Sequence, residues 1–116
     1  EFHSWLVAEG FLERGIFLVC ADHGQSDGIG GHGHLGPGER YVPFIVWGEG
    51  IARGRVVATP HSIVSVAATL SYWLGAPLPS RARGPVLVEA MADWVPAENA
   101  EGEIRHADVG GGHPGA

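Results

Sequence analysis

The sequence predicts an α/β fold in which helices cover a parallel sheet. Apolar residues with helical spacing over residues 2–14 lead to Gly15, a helix-ending residue, and then to the apolar run of residues 16–21. A short run rich in β-branched and aromatic residues is typical of a strand that is buried on both faces of a parallel sheet. Helix, short turn and buried strand together make half of a βαβ unit.

Further elements are predicted downstream. Residues 42–47 form a second buried strand with Pro43 at its start, where the missing N–H is tolerated. Residues 61–74 keep helical spacing, with His61 or Ser62 as the cap and Gly75 at the end. A short helix is predicted over residues 85–91. Residues 1–95 are thus the structured part, and residues 96–116 are predicted to be a disordered tail.

Composition narrows the classes of partner. The chain has 116 residues and a formal net charge of −6 with scattered Lys and Arg, which argues against a nucleic-acid polymer as partner. No apolar run is long enough for a transmembrane segment. The chain opens inside a helical pattern without Met, so we interpret it as a piece of a longer protein whose compartment and oligomeric state the sequence does not give. Cys20, the single cysteine, is predicted to be a buried and inert thiol.

The end of the first strand carries the strongest functional signal. Asp22 and His23 follow the apolar run directly, and a glycine-rich loop then supplies His32 and His34. Ligands gather beyond the carboxyl ends of strands in open α/β sheets. Imidazole nitrogen and carboxylate oxygen suit zinc, with manganese as the alternative. The four side chains favour a divalent metal site over the other interpretation, a polar strand end followed by a loop that happens to contain histidines.

Two nearby groups of residues are given structural roles. Asp27, in the glycine-rich loop, is interpreted as a turn residue rather than as a carboxylate that orients a histidine. Arg53 and Arg55, after the second strand, are interpreted as solvated loop residues rather than as contacts to an anionic substrate.

The motifs in combination resemble the C-terminal metal-binding part of the alkaline phosphatase superfamily. They read VCADHG, GGHG, ERYVPFIVWGEGI and AATLSYWLGAPLP, and the resemblance covers residues 11–91. The pattern is similar to the phosphodiesterase, nucleotide pyrophosphatase and phosphoglycerate mutase-like branches, and also to glycolipid phosphoethanolamine transferases. The resemblance implies a partial α/β/α sandwich with a mostly parallel sheet. Gln25, Ser65 and Ala68 depart from the pattern at positions of packing and capping.

The resemblance also implies a centre of two divalent metal ions, with zinc favoured and manganese as the alternative. Asp22 and His23 match the adjacent pair that binds one metal. His32 matches the loop histidine that completes the other metal, and His34 is the second choice for that role. Glu39 matches a glutamate that we interpret as structural.

The implied activity is that of a metal-dependent hydrolase of phosphate esters, a phosphodiesterase or phosphatase acting on a small-molecule or lipid-linked substrate. The Thr or Ser nucleophile of such enzymes is absent here and is expected upstream, so the chain is predicted to be inactive alone. Two alternatives stay open: a sulfatase of the same superfamily, and a non-catalytic metal-binding domain.

Overall fold

The computed structural model describes residues 1–28, 30–96 and 104–106. Its helices are α1 (Phe2–Ala8), α2 (Pro37–Arg40) and α3 (Ser65–Leu74), and its strands are β1 (Ile16–Cys20), β2 (Phe44–Gly48), β3 (Arg55–Val57) and β4 (Ile104–His106). Two single turns of 3₁₀-helix cover Phe11–Glu13 and Val88–Ala90. The chain divides into two compact units, residues 6–49 and residues 1–5 together with the chain from residue 50 onward.

The first helix is shorter than the sequence predicts. Instead of running from residue 2 to residue 14, α1 ends at Ala8, and the 3₁₀ turn begins after Gly10. Gly10 has φ of +72°, a left-handed conformation that interrupts the helical hydrogen-bond ladder and that glycine adopts at no steric cost. The prediction of one continuous helix over residues 2–14 is therefore wrong beyond Ala8.

Strands β1 and β2 form an antiparallel pair in the first unit. The register runs from Ile16 opposite Gly48 to Cys20 opposite Phe44. Phe17 stacks on Trp47, its partner directly across the pair, with ring centroids 5.4 Å apart. Both predicted strands are thus present, but β2 begins at Phe44 rather than at residue 42, so Pro43 precedes the strand. The described strands form two antiparallel pairs, and the partial α/β/α sandwich with a mostly parallel sheet stays a prediction.

The side chains of β1 are half-buried or exposed, whereas the sequence predicts a strand buried on both faces. A two-stranded ribbon gives each of its side chains few neighbours, so Val19 is 38% exposed. Cys20 ends the strand and is exposed. The prediction of a buried thiol is therefore wrong for this structure.

The core of the second unit lies under α3. Ser65 and Thr69 are fully buried. The Thr69 hydroxyl donates to the carbonyl of Ser65 at 2.7 Å and accepts the N–H of Leu87 at 3.0 Å. Gly84 packs directly on this turn, because a β-carbon there would lie 2.5 Å from the main chain of Ser65. The segment that contains Gly84 and Leu87 is therefore held on α3 by close main-chain packing and by the hydroxyl of Thr69.

The ends of α3 agree only in part with prediction. Gly75 closes the helix, and its N–H donates to the carbonyls of Ser71 and Tyr72, as a C-terminal glycine should. The helix begins at Ser65, later than predicted, with Val64 in the capping position. The Ser62 hydroxyl accepts the N–H of Val64 at 3.4 Å, so of the two predicted caps Ser62 makes a capping contact in the turn before the helix, and His61 does not serve as the cap. His61 instead lies with its Nε2 3.1 Å from the Glu89 carboxylate.

The segment after α3 is fixed by Arg55, which the sequence assigned to a solvated loop. Its guanidinium donates to the carbonyls of Glu89 and Met91, both at 2.9 Å, and this pairing holds the second 3₁₀ turn where a short helix was predicted. Strand β3, which contains Arg55, pairs antiparallel with β4. Of the predicted tail, only residues 96 and 104–106 belong to the described residues. Within the part of the chain that is described, no helix has the length and apolar character needed to cross a membrane.

Candidate metal centre

The predicted ligands Asp22 and His23 lie immediately beyond β1. One oxygen of the Asp22 carboxylate accepts the main-chain N–H of His23 at 3.0 Å, which fixes the carboxylate beside the next residue. The other oxygen, Oδ2, lies 3.7 Å from Nε2 of the His23 ring. Both groups are open to solvent, since the side chains of Asp22 and His23 are 88% and 40% exposed. The strand end therefore presents one carboxylate oxygen and one imidazole nitrogen to the same space.

A second contact sets the orientation of the His23 ring. Its Nδ1 lies 2.7 Å from the carbonyl oxygen of Gly24. A carbonyl oxygen only accepts, so Nδ1 carries the proton and Nε2 of the neutral ring keeps its lone pair. A histidine that binds a metal commonly makes this kind of bond through its other nitrogen. Metal–nitrogen and metal–oxygen bonds of about 2 Å are compatible with the 3.7 Å between Nε2 and the Asp22 oxygen.

His32 is brought to the same place from the glycine-rich segment of residues 24–38, which we call the histidine loop. Its ring lies over that of His23, with centroids 4.0 Å apart and planes inclined by 36°. Gly31 and Gly33, which flank it, have φ of +81° and +109°, so the loop turns on both sides of His32 in conformations that suit glycine. The loop thus brings into contact two rings that lie nine positions apart in the sequence.

The two ends of the histidine loop are tied to each other by the main chain. The N–H of Gly24 donates to the carbonyl of Glu39 at 2.8 Å, and the N–H of Gln25 donates to that of Gly38 at 3.0 Å. These bonds hold the end of β1 against α2. Asp27 lies in a turn of this loop, as predicted from the sequence.

His34 is held differently from His32. Its main-chain N–H donates to Oε1 of Glu39 at 2.9 Å, while its side chain is exposed. The described geometry thus brings the rings of His23 and His32 together and fixes His34 through its main chain. Of the two loop histidines, this arrangement favours His32 as the partner of His23.

Glu39 is the buried acid of this region, with 7% of its surface exposed. The His34 N–H holds the pKa of this carboxyl below its ordinary value of 4.5; burial opposes that effect, and the Ser26 side chain and the N–H groups of Gly36 and Gly33 add to it. The carboxylate is therefore ionised at neutral pH. Its Oε2 accepts the N–H of Gly36 at 3.3 Å, which is the glutamate half of a capping box at the start of α2, and the Glu39 N–H donates to the carbonyl of Gly36. The Gly-Pro-x-Glu spacing of residues 36–39 signals that cap in the sequence, but the bond to His34 has no sequence signal.

The described donors make up part of a metal site. Two imidazoles and one carboxylate lie at the end of β1, and their chemistry fits zinc or manganese. Within residues 1–28, 30–96 and 104–106, however, no three His, Cys, Asp or Glu side chains converge on one point as the ligands of a complete site do. A cation at Asp22, His23 and His32 would need additional ligands or an adjustment of the loop.

Comparison with known proteins relates this chain to proteins named for the transfer of ethanolamine phosphate. No protein-family model and no solved structure matches the chain. The chain is similar to GPI ethanolamine phosphate transferase 1. The Neurospora crassa protein of that name is 32% identical over 124 residues, and the Gibberella zeae protein is 29% identical over 118 residues. Each alignment covers 84% of this chain and 12% of the relative.

This similarity agrees with one branch of the resemblance seen in the motifs, that of the phosphoethanolamine transferases. Both relatives are named for the transfer of ethanolamine phosphate, a phosphate ester. The chain spans only 12% of their length, so it corresponds to a small part of each transferase. Similarity to enzymes of phosphate-ester chemistry is therefore established over most of this chain.

Proposed function

We propose that this chain supplies part of the metal centre of an enzyme that transfers phosphoethanolamine from one phosphate ester to another acceptor. One observation carries the proposal: the ring contact between His23 and His32, beside Asp22, in a chain that is similar to two ethanolamine phosphate transferases. Membership of the alkaline phosphatase superfamily is part of the proposal and rests on the same motifs.

The proposed roles follow from the contacts at the strand end. Asp22 and His23 would hold one divalent cation, and the contact of the Gly24 carbonyl with Nδ1 leaves Nε2 of the His23 ring available for it. His32 would contribute to the second cation. When bound, the pair of cations stabilises charge on the attacking and leaving oxygens of the phosphoryl group. The Thr or Ser nucleophile lies outside these 116 residues in this proposal, so the isolated chain binds metal without turnover.

The acceptor distinguishes this proposal from the hydrolase that the motifs alone predict. Transferase and hydrolase share the metal centre and the phosphate-ester donor, and they differ in whether an alcohol or water takes the group. Similarity to proteins named as transferases favours an alcohol, and a lipid-linked glycan alcohol is the substrate class that their names suggest. Hydrolysis of the same donor is the alternative outcome of the experiment.

The test uses the protein encoded by the complete open reading frame that contains this sequence. The donor is the p-nitrophenyl ester of phosphoethanolamine, supplied with and without an alcohol acceptor, and the readouts are nitrophenol release, the acceptor product and bound zinc. We expect zinc-dependent release that increases with the acceptor. His23→Ala should lower the rate at least about a hundredfold, whereas His3→Ala, a change on α1, should leave it unaltered.

Other results would point elsewhere. Release that does not depend on the acceptor would make the enzyme a hydrolase. Turnover of a sulfate ester, or an upstream Cys-x-Pro-x-Arg motif in the reading frame, would make it a sulfatase. Zinc binding by Asp22, His23 and His32 without any turnover would leave a metal-binding domain.

A further inference from the structure

Glu39 accepts main-chain hydrogen bonds from three different parts of the candidate site. Its main-chain carbonyl accepts the N–H of Gly24, directly after His23. Its carboxylate accepts the N–H of His34 through Oε1 and that of Gly36 through Oε2. Buried acids are rare unless their oxygens are paired, and here both oxygens are used.

A helix cap alone does not account for this arrangement. The capping box explains the contact to Gly36, which is the longer of the two at 3.3 Å. The bond to His34 is shorter, 2.9 Å, and it reaches a residue that precedes the cap by two positions. Hydrogen bonds to an ionised acceptor are the stronger kind. The carboxylate therefore fixes the loop rather than only the four-residue helix that follows it.

The position of His34 in the chain makes this bond important for His32. Only Gly33 separates the two histidines, and a glycine, which here has φ of +109°, restricts the backbone less than any other residue. Holding the His34 amide therefore limits where the His32 ring can lie. The other end of the connection is the Gly24 amide, beside the ring that His32 contacts.

We propose that Glu39 is a positioning residue for the histidine pair: it ties the amide of His34 and the amide of Gly24 to one point and so keeps the His32 ring on the His23 ring. This inference rests on the proposed function, since it concerns the same two imidazoles. Glu39 contacts neither the substrate nor a cation in this role.

The experiment compares the wild-type protein with Glu39→Gln, which keeps the size of the side chain and replaces one acceptor oxygen by an NH₂ group that cannot accept. Glu49→Gln is the matched control, because Glu49 is an exposed acid directly after β2. Zinc affinity is measured by calorimetry, and the ring contact is measured as a nuclear Overhauser effect between His23 and His32 without metal. We expect Glu39→Gln to lose the ring contact and to bind zinc about 10–100-fold more weakly. Glu49→Gln should change neither.

Hydrogen exchange of the amides that pair β1 with β2 shows whether Glu39→Gln changes only the position of His32 or unfolds the whole unit. We expect these amides to remain protected in Glu39→Gln; if they lose protection together with the ring contact, Glu39 serves the whole unit and the proposal is overturned. An unchanged ring contact in the variant would overturn it as well. In the wild-type protein, the His34 amide should exchange more slowly than the amide of Leu35, whose side chain is 85% exposed, and equal rates would contradict the proposal.

The same measurements keep the two proposals apart. If the wild-type protein binds no zinc but Glu39→Gln loses the ring contact, the proposed function fails and the positioning role stands. If the wild-type protein binds zinc and Glu39→Gln binds it equally well, the positioning role fails and the metal centre stands.

Discussion

The main chain of Gly24 crosses that of Gly38 so closely that neither residue has room for a side chain. A β-carbon on Gly24 would overlap the carbonyl oxygen of Gly38, and one on Gly38 would lie 2.7 Å from the carbonyl oxygen of Gln25. The crossing is closed by the N–H groups of Gly24 and Gln25, which donate to residues 39 and 38. The glycine of the Asp-His-Gly motif is therefore needed because the histidine loop returns over it.

The first prediction concerns this crossing. Gly24→Ala should lower the free energy of unfolding by about 1–3 kcal/mol, because the obstacle is a main-chain carbonyl that cannot turn aside as a side chain can. Urea unfolding followed by tryptophan fluorescence measures the change. The matched control is Gly36→Ala in the same loop, where φ is −63° and the new methyl would meet only a Glu39 oxygen at 3.4 Å. Equal stability of the two variants would contradict the crossing.

The second prediction concerns the hydroxyl under α3. Thr69→Val keeps the shape of the side chain but leaves the buried N–H of Leu87 without its acceptor, so we expect a loss of about 1–3 kcal/mol in the free energy of unfolding. Thr69→Ser keeps the hydroxyl and loses one methyl, which should cost about 1 kcal/mol. Urea unfolding of both variants checks the order, and a Val variant as stable as the Ser variant would show that the hydroxyl bond contributes little.

The third prediction concerns the thiol at the end of β1. Cys20 is exposed, so Ellman's reagent should titrate one thiol per chain in the folded protein, as fast as in a short peptide of the same local sequence. The control is the same titration in denaturant, which should give the same count. A thiol that reacts only after denaturation would mean that Cys20 is covered in solution, as the apolar run first suggested.

The sequence predicts elements best where local chemistry decides them. The apolar runs predict the positions of both β1 and β2, and Gly75 marks the end of α3, because a run of strand-forming residues and a C-terminal glycine act over a few residues. Gly10 ends α1 early because one left-handed residue outweighs an otherwise helical pattern. Arg55 reads as a solvated side chain because its two carbonyl acceptors lie more than thirty residues away.

In the candidate site, too, local sequence predicts some features, and contacts between residues far apart in the chain decide the others. Asp22, His23 and His32 are recognisable as potential ligands from residue type and spacing alone. Which loop histidine lies over His23 is set by the return of the histidine loop and by Glu39, and both depend on hydrogen bonds between residues five to fifteen positions apart. The sequence predicts a structural role for Glu39. Its carboxylate accepts the N–H of His34, and no sequence motif predicts this bond.

The last prediction separates the two loop histidines. His32→Ala removes the ring that lies 4.0 Å from that of His23, so zinc affinity measured by calorimetry should fall at least about tenfold. His34→Ala keeps the main-chain N–H that Glu39 holds, so its zinc affinity should stay within about threefold of wild type. The two variants remove the same imidazole group from positions two residues apart, and each therefore serves as the control for the other. The opposite order would assign the ligand role to His34 and would mean that the histidine loop rearranges when metal binds.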